Sequence, residues 1–344
     1  MMVLLGGELQ VSPVGLGAAM SVFNPTEMPV EPDEARATLN YAIDIGVTFI
    51  DTADVYGRGS NEELVGSVLA TRRAEVTVAT KFGIVGDLHG TRRARGDRPY
   101  VRRCVDASLA RLGTDVIDLY YLHRPDPDVP IEETVGAMAE LVAAGKVRHL
   151  GLCEVTAGEL RRAHEVHPIA AVQSEWSVWS RDVEADVVPA MAELGVGFVP
   201  YSPLGRGFLA GTVSARSLAA GDLRRALMPR YSDGNLATNL AAVRGIAAVA
   251  EQTGLTQAQV SLAWLKAKGR AFGLPVVPIP GTRRPAHVAQ NLAATAVTLT
   301  AEQTAVLDDV SAAVAGERTR QPGWTSSSRK THPTAREMAV TTRS

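Results

Sequence analysis

The stretch Val116-Ile-Asp-Leu-Tyr-Tyr-Leu-His123 is followed by Ile131–Ala144, by Gly145 and then by His149-Leu-Gly-Leu-Cys153. The first and last of these runs are apolar on both faces, which is typical of parallel strands that are covered by helices. The middle segment has the length of a helix and ends at a glycine, a common helix stop signal. This order predicts a strand, a helix and a second strand, the repeating unit of α/β proteins.

The same alternation extends along most of the chain. The eight short apolar runs are Val14–Gly17, Val47–Asp51, Val76–Lys81, Val116–His123, His149–Cys153, Ala171–Ser174, Gly197–Tyr201 and Val276–Ile279. Eight strands with helices between them, such as the helix opened by Pro32-Asp33-Glu34, predict a closed (β/α)8 barrel, the TIM-barrel fold. A β-hairpin over Val3–Val11, turning at Gly6-Gly7, is expected before the barrel.

An open, doubly wound sheet is the rival fold for such an alternation. That fold carries a GxGxxG phosphate loop directly after its first strand. Here Gly15-Leu16-Gly17 is followed by Ala18-Ala19-Met20, which does not match the motif. The sequence therefore favours the barrel.

The composition bounds the number of domains and the kinds of partner. We expect one barrel domain over residues 1–316 and a disordered tail over residues 317–344, because the chain from Arg318 onward is rich in Ser, Thr and Arg. With 35 basic and 37 acidic residues, the net charge of −2 gives no reason to expect a nucleic-acid or membrane partner. Cys104 and Cys153 lie in a predicted helix and a predicted strand, which fits a reducing, cytoplasmic location without disulfides.

Four polar residues lie where the active site of such a barrel is built, at the C-terminal ends of strands or just after them. Asp51 ends the second run, Lys81 the third and His123 the fourth, and Tyr56 follows five residues after Asp51. Each residue alone also fits a structural role, as a helix cap, a packing aromatic or a solvated side chain. Four of them at one barrel mouth make coincidence a weaker explanation than a shared site.

These four side chains permit one coherent reaction, the reduction of a carbonyl group. A carbonyl that accepts hydride develops negative charge on its oxygen and needs a proton. Tyr56 can donate that proton, and a nearby Lys81 ammonium lowers a phenol pKa that is otherwise about 10. Asp51 would keep Lys81 charged and aimed at Tyr56, while His123 would donate a hydrogen bond to the carbonyl oxygen. The hydride requires a cofactor, because no side chain supplies one.

Several motifs along the chain resemble those of one known family. They are Gly46-Val-Thr-Phe-Ile-Asp51-Thr-Ala-Asp-Val-Tyr56-Gly57 with Asn61-Glu62-Glu63 and Gly66, then Ala79-Thr80-Lys81-Phe82-Gly83, then Ser108–Asp115 and Ile117–His123. In this order they resemble the aldo-keto reductase superfamily, over about Val11–Ser311. The chain is most similar to the branch shared by bacterial and plant aldehyde reductases and potassium-channel β subunits.

The resemblance implies a (β/α)8 barrel that reduces aldehydes or ketones to alcohols with NADPH. It implies Asp51, Tyr56, Lys81 and His123 as catalytic residues, with Tyr56 as the general acid. The alternative is a cofactor-sensing regulatory subunit with slow or vestigial reductase activity, because such subunits keep the same four residues. A metal-dependent barrel hydrolase or isomerase would need clustered histidine and carboxylate ligands. Only His123 is a histidine among the eight strand ends, so no metal is expected.

The resemblance also implies where NADPH would lie, extended across the barrel mouth. Gln173 would hold the nicotinamide carboxamide, and Tyr201 would stack under the ring. Cys153-Glu154 occupies a pair that is commonly Ser-Asn or Ser-Glu in the family, and a thiol is a poorer hydrogen-bond partner than a hydroxyl. The implied pyrophosphate contacts are Ser202, Leu204, Gly205 and Arg206, and the implied adenosine contacts are Gly281, Thr282, Arg284, Gln290 and Asn291.

The adenosine 2′-phosphate site departs from the usual family pattern. Many relatives have Lys and Arg at the positions of Gly281 and His287. Arg284 is therefore expected to bind the phosphate, with Arg283 as the neighbouring alternative. Either residue favours NADPH over NADH.

Weaker signals concern the substrate. Phe23 and Trp176, in loops at the predicted barrel mouth, are predicted to line an apolar substrate pocket. The loop after Lys81 carries arginines at positions 92, 93, 95 and 98, which would cover the cofactor, bind an acidic substrate or face solvent. The expected partner is a small-molecule carbonyl compound, and a homo-oligomer is compatible with the sequence.

Overall fold

The computed structural model describes residues 2–19, 31–86, 92–214, 218, 222–321 and 323–331. The strands are Val3–Leu5 (β1), Leu9–Val11 (β2), Leu16–Gly17 (β3), Phe49–Asp51 (β4), Thr77–Phe82 (β5), Ile84–Gly86 (β6), Arg92–Ala94 (β7), Ile117–Leu122 (β8), Val147–Cys153 (β9), Ile169–Glu175 (β10) and Gly197–Tyr201 (β11). The helices are Pro32–Asp44 (α1), Ser60–Arg72 (α2), Arg98–Leu112 (α3), Ile131–Ala143 (α4), Ala157–Val166 (α5), Val187–Leu194 (α6), Leu223–Leu227 (α7), Asp233–Ala242 (α8), Arg244–Thr253 (α9), Gln257–Ala271 (α10), Pro285–Ala293 (α11), Ala301–Asp309 (α12) and Ser326–Thr331 (α13).

Seven strands form one parallel sheet that curls into a nearly closed barrel, in the order β3, β4, β5, β8, β9, β10, β11. Residues 275–280 fill the gap between β11 and β3. Val277 N donates to Phe198 O (2.9 Å) on one side, and Gly15 N donates to Pro278 O (2.9 Å) on the other. Prolines at positions 275, 278 and 280 lack the N–H groups of a regular ladder, so the predicted eighth strand pairs on both sides without continuous strand geometry. The predicted (β/α)8 barrel is confirmed.

Side chains alternate along each barrel strand between the interior and the helix-covered outside. The pairing of β4 with β5 sets Asp51 beside Ala79, and Lys81, two residues further along, returns to the same interior face. The pairing of β5 with β8 sets Lys81 beside Tyr121, so His123 follows by the same rule. The strand period and register thus bring Asp51, Lys81 and His123 to one rim of the barrel.

The predicted N-terminal hairpin is present as β1 and β2, and it plugs the other end of the barrel. Leu5, Leu9 and Val11 join the interior cluster, each no more than 6% exposed. Burial of each such side chain contributes about 2 kcal/mol. Gly197 lets the hairpin approach, because a Cβ there would lie 2.3 Å from Leu5 Cδ2. The accessible mouth is therefore the end formed by the C-terminal ends of the strands.

The predicted helices are present, and local signals set their ends. α1 begins at Pro32, where a missing N–H removes no helical hydrogen bond. α3 is capped by Asp97, whose carboxylate accepts from Tyr100 N (3.2 Å), and it ends at Gly113 with a left-handed φ of 62°. α4 ends at residue 143, one residue earlier than predicted.

Part of the tail predicted to be disordered is folded against the barrel. Residues 318–321 and 323–331 have defined contacts, and residues 332–344 lie outside the described residues. Arg318 Nη2 lies 2.8 Å from Glu154 Oε2, and Arg329 Nη2 lies 2.8 Å from Glu159 Oε2. The tail has few apolar residues, which motivated the prediction of disorder. Buried carboxylates on the barrel need counter-charges, however, and the arginines of the tail supply them.

Three further features bear on the class of protein. In the described ranges, no helix is both long and apolar enough to cross a membrane. Within the same ranges, His, Cys, Asp and Glu side chains do not gather in threes or more as metal ligands would. Cys104 and Cys153 are both buried free thiols.

Candidate active site

A cleft of about 930 Å³ opens at the mouth of the barrel. One end of the cleft is at Tyr56 and His123, near the strand ends. The other end is at Arg284, which precedes α11, and at Asn291 within that helix. This size lies in the range of small-molecule and cofactor sites. The predicted reaction centre and the predicted adenosine site therefore share one continuous surface.

Lys81 is the centre of the predicted catalytic group. Its fully buried ammonium forms an ion pair with Asp51 and donates to Thr52 O (2.8 Å). Lys81 Nζ also lies 3.5 Å from Tyr56 Oη. The three N–H donors of the ammonium thus meet three oxygens, which holds the amine beside the phenol.

The turn after β4 carries Tyr56 back over the strand ends. Gly57 and Arg58 follow it with φ angles of 56° and 55°. This left-handed pair redirects the chain, and a glycine adopts the conformation without strain. Asn61 Oδ1 accepts from Thr52 Oγ1 (2.6 Å), which ties the turn to the end of the strand.

Burial and the Lys81–Asp51 pair set the protonation states. Burial alone would lower the pKa of Lys81, but the charge and hydrogen bond of Asp51 raise it, so the amine stays charged. Burial raises the pKa of Asp51 against the opposing effect of Lys81. Burial likewise raises the pKa of Tyr56 and outweighs Lys81. The expected lowering of the phenol pKa is therefore not found in this environment, and Tyr56 keeps a proton to donate at neutral pH.

His123 lies next to Tyr56, with ring centroids 5.9 Å apart in an edge-to-face arrangement. Burial, then the charges of Lys81 and Arg124, hold the pKa of His123 well below its usual value. Its Nδ1 is buried and has no hydrogen-bond partner among the described residues. A neutral imidazole here can donate one N–H to a carbonyl oxygen without adding charge.

Gln173, the predicted carboxamide contact, lines the cleft and also touches the catalytic group. Its Nε2 donates to Asp51 Oδ2 (2.9 Å). Cys153 pairs with Gln173 across β9 and β10 but is 1% exposed and does not line the cleft. Burial raises the pKa of its thiol to about 12. Gln173 reaches the cleft, whereas Cys153 is part of the barrel interior.

Glu154 is turned away from the cleft, although it was predicted to contact the cofactor. It has a left-handed φ of 52° and is fully buried. Its carboxylate accepts hydrogen bonds from Arg318 (2.8 Å), Tyr201 Oη (2.8 Å) and Ser326 N (3.1 Å). Burial would raise the pKa of Glu154, but Arg318 and Arg124 lower it, so it stays ionised. Its oxygens are occupied by the protein itself, and it orients Tyr201, which lines the cleft.

The loop after β11 has an unusual backbone. Ser202 and Arg206 adopt φ angles of 47° and 49°, uncommon for residues with a side chain and often found at functional sites. Both line the cleft together with Leu204, whereas Gly205 is buried and does not line it. Arg206 Nη1 lies 3.4 Å from Glu175 Oε2, a buried carboxylate at the end of β10.

The far end of the cleft is formed by the start of α11 and the segment before it. The residues that line it are Gly281, Thr282, Arg283, Arg284, His287, Gln290 and Asn291. Thr282 Oγ1 accepts from Arg284 N (3.1 Å). A Cβ on Gly281 would lie 3.1 Å from Gly17 O, so the glycine allows two segments of the cleft floor to approach closely. The helix N-terminus and the two arginines make this end suitable for a phosphate.

The two predicted substrate contacts have different outcomes. Phe23 lies outside the described residues. The prediction for Trp176 is corrected, because its side chain is fully buried and stacks on Phe198 with ring centroids 4.9 Å apart. Its Nε1 donates to Glu184 Oε1 (2.9 Å). Gln173 points into the barrel, and Trp176, three residues later, packs on the outside between the sheet and the helices.

Among the cleft residues that the sequence analysis did not predict, two bear on the site most directly. Arg124 directly follows His123, so its place at a strand end was a usable signal. Trp324 is the one aromatic residue in the polar tail, and it is 7% exposed where the tail crosses the cleft. An isolated aromatic in a polar segment indicates a docking point, which composition averaged over the tail does not reveal.

Comparisons with known proteins identify the family of the chain. The model of the Aldo/keto reductase family matches residues 13–312. Probable aldo-keto reductase 1 of Glycine max is 43% identical over 291 residues, which cover 84% of this chain and 82% of that protein.

Solved structures of related proteins share the fold of this chain. A glycerol dehydrogenase from Gluconobacter oxydans has a TM-score of 0.80 at 28% identity, covering 93% of this chain and 98% of that one. An aldo/keto reductase from Klebsiella pneumoniae in complex with NADP and acetate has a TM-score of 0.68 at 30% identity. The match covers 93% of this chain and 99% of that one. The chain therefore belongs to the aldo/keto reductase family of oxidoreductases.

Proposed function

We propose that this protein reduces aldehydes or ketones to alcohols with NADPH, with Tyr56 as the general acid. One observation carries the proposal. The Lys81 ammonium, paired with Asp51, lies 3.5 Å from Tyr56 Oη at the edge of a cleft of cofactor size. A buried cation beside a phenol favours proton transfer to a developing alkoxide, because it stabilises the tyrosinate that is left.

The cleft has features that fit a phosphorylated dinucleotide. Arg283 and Arg284 lie at the N-terminus of α11, where a phosphate is favoured. Ser202 and Arg206 hold strained backbone conformations midway along the same surface. The Klebsiella pneumoniae relative was solved in complex with NADP. The cofactor would supply the hydride that no side chain carries.

The side chains act on the carbonyl oxygen. Tyr56 Oη and the neutral His123 would each donate a hydrogen bond to it, which fixes the orientation of the carbonyl. As negative charge grows on that oxygen, Tyr56 transfers its proton and is left as a tyrosinate beside Lys81. The ammonium stabilises this anion, and Asp51 keeps the ammonium in place. The tyrosinate then takes a proton from solvent before the next turnover.

The test follows NADPH absorbance during incubation with a panel of aldehydes and ketones. Tyr56→Phe should lower kcat by about a hundredfold or more, because it removes the proton donor, while the Kd of NADPH changes little. Tyr41→Phe, on α1, is the matched control and should keep the wild-type rate. A Tyr56→Phe enzyme that turns over normally would contradict the assigned acid. Tight NADPH binding without turnover of any carbonyl would instead support a cofactor-sensing subunit.

The preference for NADPH is tested at the other end of the cleft. Arg284→Ala should lower kcat/KM for NADPH by about tenfold to a hundredfold, because a charge-assisted contact to the 2′-phosphate is lost, and should leave kcat/KM for NADH nearly unchanged. Arg283→Ala identifies which of the two arginines makes the contact. Equal use of the two cofactors by the wild-type protein would contradict the phosphate site. A cytoplasmic location and a small-molecule carbonyl substrate remain predictions from the sequence.

A further inference from the structure

Two guanidinium groups approach one aromatic ring beside the predicted catalytic group. Arg124 directly follows His123, and its Nη1 donates to His123 O (2.6 Å). Arg92 Cζ lies 4.4 Å from the centroid of the Trp324 ring, and Arg124 Cζ lies 5.4 Å from the ring of the same residue. Arg92, Arg124 and Trp324 line the same cleft as Tyr56 and His123. Two guanidinium groups therefore lie in the cleft wall that also carries Tyr56 and His123.

Arg124 is a buried cation whose hydrogen-bonding capacity is only partly used. It is 8% exposed, and its Nε is buried without a hydrogen-bond partner in the described part of the chain. Its Nη1 bonds a backbone carbonyl, and within the same part of the chain no carboxylate pairs with it. A charge removed from water is costly unless a counter-charge compensates it. A cation of this kind in the wall of a cleft indicates an anionic ligand.

The acids around the mouth have cationic partners of their own. The ion pairs are Asp51–Lys81, Glu154–Arg318 and Glu175–Arg206. The charge of Arg124 helps to lower the pKa of Glu154. The oxygens of Glu154, however, accept hydrogen bonds from Arg318 and Tyr201. These pairs leave the charge of Arg124 available to a bound molecule.

Arg92 adds a second cation at the same place. Its Nε donates to Gln321 Oε1 (2.9 Å), so the tail helps to orient it. Burial, and then the neighbouring charge of Arg124, lowers the pKa of Arg92 to about 10. The two cations therefore repel each other, and an anion bound between them would relieve that repulsion.

We propose that Arg124 and Arg92 bind a carboxylate of the substrate, so that the preferred substrates are carbonyl compounds that also carry a carboxylate. This inference rests on the proposed reductase function, because it names the substrate class of the same cleft. The carbonyl end would meet Tyr56 and His123, and the acid end would meet the adjoining guanidinium groups. The planar N–H fork of arginine matches the two oxygens of a carboxylate, whereas the ring face of Trp324 offers no such oxygens.

The direct test compares para-carboxybenzaldehyde with para-nitrobenzaldehyde, which has a similar shape but no charge. The nitro group makes its aldehyde the more reactive of the two, so intrinsic reactivity works against the proposal. Wild-type kcat/KM should nevertheless be about tenfold or more higher for the carboxy compound, mainly through a lower KM. An equal or reversed preference in an active enzyme overturns the inference. Glyceraldehyde 3-phosphate against glyceraldehyde shows whether a phosphate is accepted instead of a carboxylate.

Variants assign the effect to the two arginines. In Arg124→Gln and in Arg92→Gln, the ratio of kcat/KM for the carboxy and nitro compounds should fall about tenfold. Arg93→Gln is the matched control, because Arg93 is exposed on the same strand and does not line the cleft, so the ratio should stay unchanged. If the Kd of NADPH rises as much as the KM of the acid, the arginines bind the cofactor and the inference fails.

A binding measurement separates this inference from the proposed function. Benzoate is titrated by calorimetry into the wild-type protein and the three variants, with NADP+ present. Its Kd should rise about tenfold in Arg124→Gln and Arg92→Gln and stay the same in Arg93→Gln. Arginine-dependent benzoate binding without turnover of any carbonyl would contradict the reductase and keep the anion site. If the enzyme turns over carbonyls but the Kd of benzoate is the same in Arg124→Gln and Arg92→Gln as in the wild type, the anion site is contradicted and the reductase function stands.

Discussion

Arg318 and Glu154 form a buried ion pair that joins the C-terminal tail to the barrel. Their closest atoms are 2.8 Å apart, and their side chains are 5% and 0% exposed. Arg318 Nη1 makes a second contact to the same carboxylate at 3.1 Å, so the pairing is bidentate. Because Glu154 also accepts from Tyr201 Oη, the tail acts on the wall of the cleft through this carboxylate. Residues 318–321, 324 and 325 of the tail also line the cleft, so this part of the tail contributes to the candidate site.

Breaking this pair should destabilise the protein more than removing it entirely. Arg318→Met leaves the Glu154 carboxylate buried without its main counter-charge, and the expected loss is about 3 kcal/mol of unfolding free energy. Adding Glu154→Gln should recover part of that loss, because the uncompensated charge disappears. Chemical denaturation of the two single variants and the double variant measures the coupling. Strict additivity of the two losses would contradict a direct interaction.

Gln173 should support catalysis as well as cofactor binding, because its Nε2 donates to Asp51 Oδ2. Gln173→Met keeps the volume and removes the donor, which leaves a buried carboxylate oxygen short of one hydrogen bond. We expect kcat to fall about tenfold and the Kd of NADPH to rise severalfold. Ser174→Ala is the control, because Ser174 is the next residue of the strand and does not line the cleft. A change in Kd alone, with normal kcat, would show that the contact to Asp51 has no catalytic role.

The strand ends could be predicted from the sequence because two simple rules fix them. Side chains alternate along a strand, and parallel strands end at one rim. Asp51, Lys81 and His123 each close an apolar run, so their convergence follows once the barrel is recognised. Tyr56 is harder, since its position depends on a left-handed turn at Gly57 that only the family motif indicated.

Three features depended on packing that the sequence does not encode locally. Trp176 follows a strand, and nothing in the local pattern decides whether its ring enters the cleft or the layer between sheet and helices. Glu154 was expected at the cofactor, but Arg318, which lies 164 residues away in the chain, takes its carboxylate. The tail itself has a composition typical of disorder, and its contacts become favourable only against the buried acids of the folded barrel.

The pH dependence of the reaction follows from Tyr56 and His123. Burial raises the pKa of Tyr56 above its usual value of about 10 and lowers the pKa of His123 below its usual value of about 6.5, so the phenol stays protonated and the imidazole stays neutral between these two usual values. Between these limits kcat for carbonyl reduction should change less than about threefold. Alcohol oxidation needs the tyrosinate and should rise with pH throughout the range. Rate profiles in both directions test this, and a reduction profile with a fall centred near neutral pH would contradict it.

Asp54 should make the stability of the protein fall as the pH rises toward neutrality. Burial, then the charge of Glu62, raises the pKa of Asp54 to about 7, and its Oδ1 is buried without a partner in the described chain. The folded state therefore holds this proton more tightly than the unfolded chain, whose pKa is about 4. The stabilising contribution of this proton is fully present below the unfolded-state pKa of about 4. It is lost as the pH rises through the folded-state pKa of about 7.

Asp54→Asn tests this directly because it keeps the shape and removes the titration. At about pH 8 the variant should unfold with a free energy about 1 to 3 kcal/mol higher than the wild type, and at about pH 5 the gain should be smaller. Thermal unfolding at the two pH values measures the difference. Asp115→Asn, at an exposed aspartate, controls for the loss of one negative charge. An equal gain at both pH values would contradict the titration of Asp54.

Trp176 should be required for stability and not for substrate binding. Its ring is fully buried against Phe198 and Trp264, with centroids 4.9 Å and 5.7 Å away, and its Nε1 is bonded to Glu184. Trp176→Leu leaves a cavity in this layer and an acceptor without its donor, and the expected loss is about 3 kcal/mol of unfolding free energy. The KM for any aldehyde that the folded variant reduces should stay within about twofold of the wild type. Denaturation and steady-state kinetics on the same preparation separate the two effects. A stable variant with a strongly altered KM would indicate that Trp176 contacts the substrate and would contradict its packing between the sheet and the helices.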